Sequence, residues 1–160
     1  MRRILILGRG GAGKSTLAHR LGAITGFPVI ELDQHFWQEG LIATSPAEWT
    51  ATQRELIQPQ EWIIDGDLGP YDVLEPRLKV ADTVIILDFS LARCAWRSSR
   101  RASEGMDFWR WVIRYRRTSL PTLMAMIATH APRAQVHVLR TRHAVESFIQ
   151  TIPTGHARRR

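Results

Sequence analysis

A chain of 160 residues, 44% of them hydrophobic, is long enough to close one core and short for two, so a single domain is expected. Its one cysteine, Cys94, excludes an internal disulfide framework and suits a reducing cytosol, and no run reaches the ~18 apolar residues of a membrane span, which excludes a membrane partner. The net charge of +7 is almost wholly arginine, since Lys14 and Lys79 are the only lysines; planar donor forks suit phosphate, and a compositional bias of the genome would give the same excess.

The apolar run Ile4-Leu5-Ile6-Leu7 predicts a first strand, and Gly8-Arg9-Gly10-Gly11-Ala12-Gly13-Lys14-Ser15 follows it directly. This stretch fits the phosphate-loop pattern G-x-x-x-x-G-K-[ST] at every fixed position. Glycines let successive N–H groups turn inward onto a polyphosphate, Lys14 supplies a mobile cation for the β- and γ-phosphates, and the Ser15 hydroxyl falls where Mg²⁺ would sit. Leu17, Ala18, Leu21 and Ile24 recur at helical spacing behind it, so the helix N-terminus faces the same anion. The order strand, loop, helix is the one the chemistry requires.

After the break Gly26-Phe27-Pro28, the segment Val29 to Leu32 reads as a second strand ending at Asp33. At a strand end beside the loop, Asp33 is placed to orient Mg²⁺ through water or to bind an acceptor hydroxyl; as a helix cap it would be purely structural. His35, Phe36 and Trp37 line either the core or a substrate pocket. Ser45-Pro46-Ala47-Glu48 has the form of a capped helix start, and the helix runs through Trp49, Gln53 and Leu56 toward Pro59. Trp62 to Asp65 is a third strand whose last residue is acidic, the usual second half of a Mg²⁺-nucleotide site, although an aspartate before Gly66 also serves a plain turn.

Asp67 to Asp72 read as a loop, and Asp82 to Asp88 as a fourth strand buried on both faces. Arg93, Arg97, Arg100 and Arg101 recur near helical period; after the break Ala102 to Asp107, Arg110, Arg114, Arg116 and Arg117 are interleaved with Trp109, Trp111 and Tyr115. Such a segment can close over a nucleotide, and most of its arginines must be a solvated face. Leu123, Met124, Met126 and Ile127 predict a core-facing helix, Val136 to Leu139 a fifth strand, and Val145, Phe148, Ile149 and Ile152 the apolar side of a last helix. The basic tail from Pro153 to Arg160 is expected to be disordered. Strands alternating with helices make this an α/β domain with a mostly parallel sheet.

These residues resemble a known family, the small bacterial P-loop proteins called DNA topology modulation or FlaR-like proteins, which are related to adenylate kinase. The resemblance rests on Gly8 to Thr16, Glu31-Leu32-Asp33 with His35-Phe36-Trp37, Glu48-Trp49, Arg54, Glu61 to Gly66, Arg77, Ala81 to Thr83, Leu87 to Phe89, and the Arg97 to Arg101 and Arg116-Arg117 groups. The chain departs from the family pattern at Asp67, Pro70 and Tyr71 and in its short break at Ala102 to Asp107.

The resemblance implies a P-loop NTPase fold of nucleoside-monophosphate-kinase type, with five strands in the spatial order 2-3-1-4-5. Residues 1–152 would form one kinase-like domain, with about 34–60 on the acceptor side and about 97–117 as an arginine-rich lid. The expected function is ATP-dependent phosphoryl transfer to a small acceptor. Gly8, Gly10, Gly11, Ala12, Gly13, Lys14, Ser15 and Thr16 would hold the nucleoside triphosphate, Ser15 and Asp65 the Mg²⁺, and Asp33 the acceptor or the metal shell. By the resemblance Arg97, Arg101, Arg116 and Arg117 would stabilise the transferring group. Two alternatives follow from other classes: a nucleotide-regulated protein whose basic helices contact DNA, and a nucleotide-binding module with weak ATPase activity.

Overall fold

The chain is described by a computed structural model covering residues 1–38, 42–66, 68, 72–91, 94, 110 and 113–153. Among the described residues five parallel strands form one sheet: β1 (Arg3–Gly8), β2 (Val29–Glu31), β5 (Trp62–Asp65), β6 (Thr83–Leu87) and β7 (Gln135–Leu139). Their order across the sheet is β2-β5-β1-β6-β7, the expected 2-3-1-4-5 arrangement. The two central pairings bring Ile6 opposite Asp65 and Gly8 opposite Leu87. A separate antiparallel ribbon, β3 (Trp37–Gln38) with β4 (Ile42–Ala43), has only two residues in each strand, too few to show a period in sequence.

Alternation along β1 divides the core. Ile4 and Ile6 pack with Leu17, Ala18 and Leu21 of α1 (Lys14–Thr25) and with Val145 and Phe148 of the last helix, Arg142–Gln150. Leu5 and Leu7 face the other way, toward Phe36 of α2 (Asp33–Phe36), Trp49 of α3 (Pro46–Leu56), Leu78 of α4 (Glu75–Val80) and Leu123 and Ile127 of α5 (Ser119–His130). The helix Arg142–Gln150 is α6. Each fully buried aliphatic side chain stabilises this three-layer arrangement by about 1.5–3 kcal/mol. β6 is buried at every position, as a two-sided central strand requires.

Local chemistry explains the element boundaries. Ser45 caps α3 by accepting from the Glu48 amide while the Glu48 carboxylate accepts from the Ser45 N–H, a complete capping box with Pro46 in the first turn. Thr141 accepts from the Ala144 N–H at 3.0 Å and starts α6. Two expectations shift, and one helix is added for which the sequence offered no reading. β2 ends at Glu31 because Leu32 adopts helical angles, and its carbonyl accepts from both His35 and Phe36, so Asp33 opens α2 instead of ending the strand. The segment around Arg77 is helical, with Pro76 in the first turn of α4. On α5 Leu123 and Ile127 are buried, whereas Met124 is exposed.

Candidate active site

The C-terminal ends of β1, β5 and β6 lie side by side, where ligands bind in open parallel sheets. Gly8 leaves β1 with φ +142°, and a Cβ built on it would stand 2.6 Å from the Leu87 carbonyl oxygen. A side chain there would push β6 away, so the close approach of loop and strand requires glycine. The loop then turns tightly: the Ala12 N–H donates to the Arg9 carbonyl at 3.2 Å. Gly13 caps α1 in the left-handed region and accepts its first ladder bond from Leu17, so the amides of Lys14, Ser15 and Thr16 precede the ladder. Gly10, Gly11, Gly13, Lys14 and Ser15 are half-buried, Ala12 is buried and Thr16 is exposed. Lys14 Nζ donates to the Gly8 carbonyl oxygen at 3.0 Å, which folds the ammonium back over the loop.

Asp65 ends β5 beside this loop and is 5% exposed. Its Oδ1 has no hydrogen-bond partner, which is costly for a buried carboxylate oxygen. Burial pushes its carboxyl above the usual carboxylate range; Lys14 and a hydrogen bond with Ser15 pull it down, and Asp33 and Glu31 push it up. Ser15, Lys14, Asp33 and Asp65 therefore share one electrostatic neighbourhood. A hard cation bound by oxygen ligands suits this donor set: a hydroxyl hydrogen-bonded to a carboxylate whose second oxygen is buried and unpaired. Ser15 and Asp65 fit Mg²⁺ on that ground.

On the other flank of β1, Asp88 follows β6 with its side chain 4% exposed. Arg116 Nε donates to its Oδ1 at 2.7 Å, Arg116 Nη2 to its backbone oxygen at 3.1 Å, and Arg140 Nε to its Oδ2 at 3.3 Å. The Asp88 hydrogen bond raises the Arg116 guanidinium further above its already high value, so this half-exposed side chain is a permanent cation. Arg117 is exposed in the same turn. Arg97 and Arg101 lie outside the described residues, as do Asp67, Pro70 and Tyr71.

Asp33, in the first turn of α2, is exposed, as is His35. Phe36 is buried edge-on against Trp49 at 5.1 Å and Trp37 at 4.8 Å, so of the aromatic trio Phe36 is core.

Three features went unread in the sequence. Asp88 looked like a strand terminus, and its arginine partners are 28 and 52 residues away. Arg9 occupies one of the unspecified positions of the loop pattern, yet it is buried. Arg77 is fully buried, donating from Nη1 and Nη2 to Asp72 at 3.0 and 2.7 Å and from Nη1 to Gln53, whose amide donates to the Val73 carbonyl. That network joins α3 to α4, and a signal was present: the same helix face carries Trp49 and Gln53 at i, i+4.

No family model matches the chain, and no curated protein matches it in sequence. Solved structures do match in fold. A shikimate kinase from Acinetobacter baumannii, solved with shikimate, is similar with a TM-score of 0.64 at 16% identity, covering 94% of this chain and 89% of that one. A sugar kinase from Janibacter sp. HTCC2649 gives 0.58 at 19% identity, covering 94% and 91%. A gluconokinase from Sinorhizobium meliloti 1021 gives 0.56 at 16%, covering 93% and 87%. The chain thus has the fold of P-loop small-molecule kinases, with the sheet order expected from its sequence.

Proposed function

We propose that the chain is a Mg²⁺-ATP-dependent phosphotransferase acting on a small-molecule acceptor. The observation that carries this reading is the pairing of a complete phosphate loop with a buried, half-unpaired Asp65 at the adjacent strand end. Backbone amides from Gly10 to Ser15 hold the phosphate oxygens, with Gly8 and Ala12 shaping the loop and Thr16 at the helix start. Lys14 leaves the Gly8 carbonyl to neutralise the β- and γ-phosphates. The Ser15 hydroxyl would hold Mg²⁺ with Asp65 orienting its shell, and the ion when bound would supply charge neutralisation for the phosphates.

Asp33 serves the acceptor hydroxyl or the metal's water, from an exposed position beside Asp65. Arg116 and Arg117, with Arg97 and Arg101 of the same lid region, stabilise charge on the transferring group. Arg116 Nη1 makes no contact with Asp88, so it is free to turn to a phosphate without breaking those contacts. Catalysis then consists of positioning and fixed electrostatics. In this reading residues 1–152 act as one domain, with 34–60 toward the acceptor.

The test is an acceptor panel of nucleoside monophosphates, nucleosides, sugars and hydroxy acids, scored for ADP production. One class should stimulate turnover, and Lys14→Ala should remove about 10²- to 10³-fold of it. Tight ATP binding with no stimulation by any acceptor overturns the reading in favour of a nucleotide-binding module.

A further inference from the structure

We propose that Arg9 is a positioning residue that sets the placement of Arg116 relative to the phosphate loop; the proposal rests on the phosphotransferase reading above. Gly8 of β1 and Leu87 of β6 are register partners, and the next residue on each strand, Arg9 and Asp88, holds one of two consecutive residues of a single turn. The Arg9 guanidinium carbon lies 5.4 Å from the ring centroid of Tyr115, and both side chains are buried. Asp88 takes Arg116 through its carboxylate and its carbonyl oxygen.

The turn itself is tight. The amides of Arg117 and Thr118 both donate to the Arg114 carbonyl, at 2.8 and 3.0 Å, and the Leu120 amide donates to that of Tyr115 at 2.8 Å. Tyr115 and Arg116 therefore cannot shift independently. One end of this clip is part of the phosphate loop, because the Arg9 carbonyl accepts the bond that turns it.

Packing alone does not account for an arginine here. Arg9 is 1% exposed and its Nε–H has no partner, a poor way to fill an apolar gap. A cation over a ring face is a directional contact, within the ~6 Å at which the quadrupole attracts it, whereas an aliphatic side chain would let the ring slide. The contact ties Tyr115, and through it Arg116, to the backbone that would grip the phosphates.

Two measurements test this. In the nucleotide-free protein, hydrogen exchange at Arg117, Thr118 and Leu120 should speed up by about 2- to 30-fold in Arg9→Met, the range of a cation–π contact, and by less in Arg9→Lys, which keeps the cation. In steady-state turnover, Arg9→Met should lower kcat in the wild-type background and leave it unchanged in Arg116→Ala, because the effect of Arg9 passes through Arg116. Unchanged exchange in both Arg9 variants, or an equal kcat loss in both backgrounds, overturns the proposal. A wild type that transfers no phosphoryl group defeats the functional reading instead, and the exchange comparison still decides whether Arg9 holds the turn.

Discussion

Asp65 and Asp88 stand on either side of β1, each buried at the end of a neighbouring strand, and they are treated in opposite ways. Asp88 is saturated: two arginines and no unpaired oxygen. Asp65 has a hydroxyl partner on one side and an orphaned oxygen on the other, beside Lys14. A carboxylate already neutralised by arginine has little to offer a cation from solution, whereas one held half-paired is still a ligand. The same residue type, buried to the same degree, is therefore an anchor on one flank and a candidate metal site on the other.

Changing each buried carboxylate in turn sharpens the contrast. The largest effect belongs to a third, Asp72, whose partner Arg77 is wholly buried. Asp72→Ala strands a guanidinium in the core and should cost about 3–5 kcal/mol of unfolding free energy by denaturant titration. Asp88→Ala should cost far less stability, because Arg116 and Arg140 are half or more exposed and can return to water. Its signature is kinetic: about tenfold lower kcat, the effect of losing one ~1.4 kcal/mol positioning contact, with the KM for ATP little changed. A stability loss as large as that of Asp72→Ala would break the distinction between anchor and core network.

The smallest shift, and of opposite sign, is expected at Asp65. Its carboxyl is raised by burial, so the neutral form favours the fold: that contribution is complete below the ordinary carboxylate range and is lost as pH rises through the raised value. Asp65→Asn fixes the neutral form. At neutral pH the nucleotide-free variant should melt about 2–4 °C higher, the equivalent of ~1 kcal/mol, and should lose the further stabilisation that Mg²⁺-ATP gives the wild type. A lower melting temperature would mean that Asp65 is already satisfied within the fold.

What could be read in the sequence was local or repeated. Apolar runs gave the strands of the sheet, Ser45 to Glu48 gave a helix start, and Gly8 to Ser15 gave the loop, each within a few consecutive residues. The α4 helix was missed because six residues with a proline in the first turn carry little period. The buried arginines were missed for a different reason. Whether Arg9 or Arg77 is a solvated surface charge depends on Tyr115 or Asp72, and those partners meet only through the folded topology. Asp65 was legible as a strand end, but its orphaned oxygen was not, since a missing partner leaves no mark in the chain.

The register of β1 has a consequence for how the protein comes to exist. The residues from Gly8 to Thr16 are early in the chain, yet β1 acquires its two hydrogen-bonded neighbours only from Trp62 onward and from Thr83 onward. During synthesis the loop has no rigid floor until β6 has emerged, and closing such distant parallel pairs is the slow part of folding. Affinity for phosphate should thus arise late, with the docking of β6 against Gly8, and not with the early winding of α1.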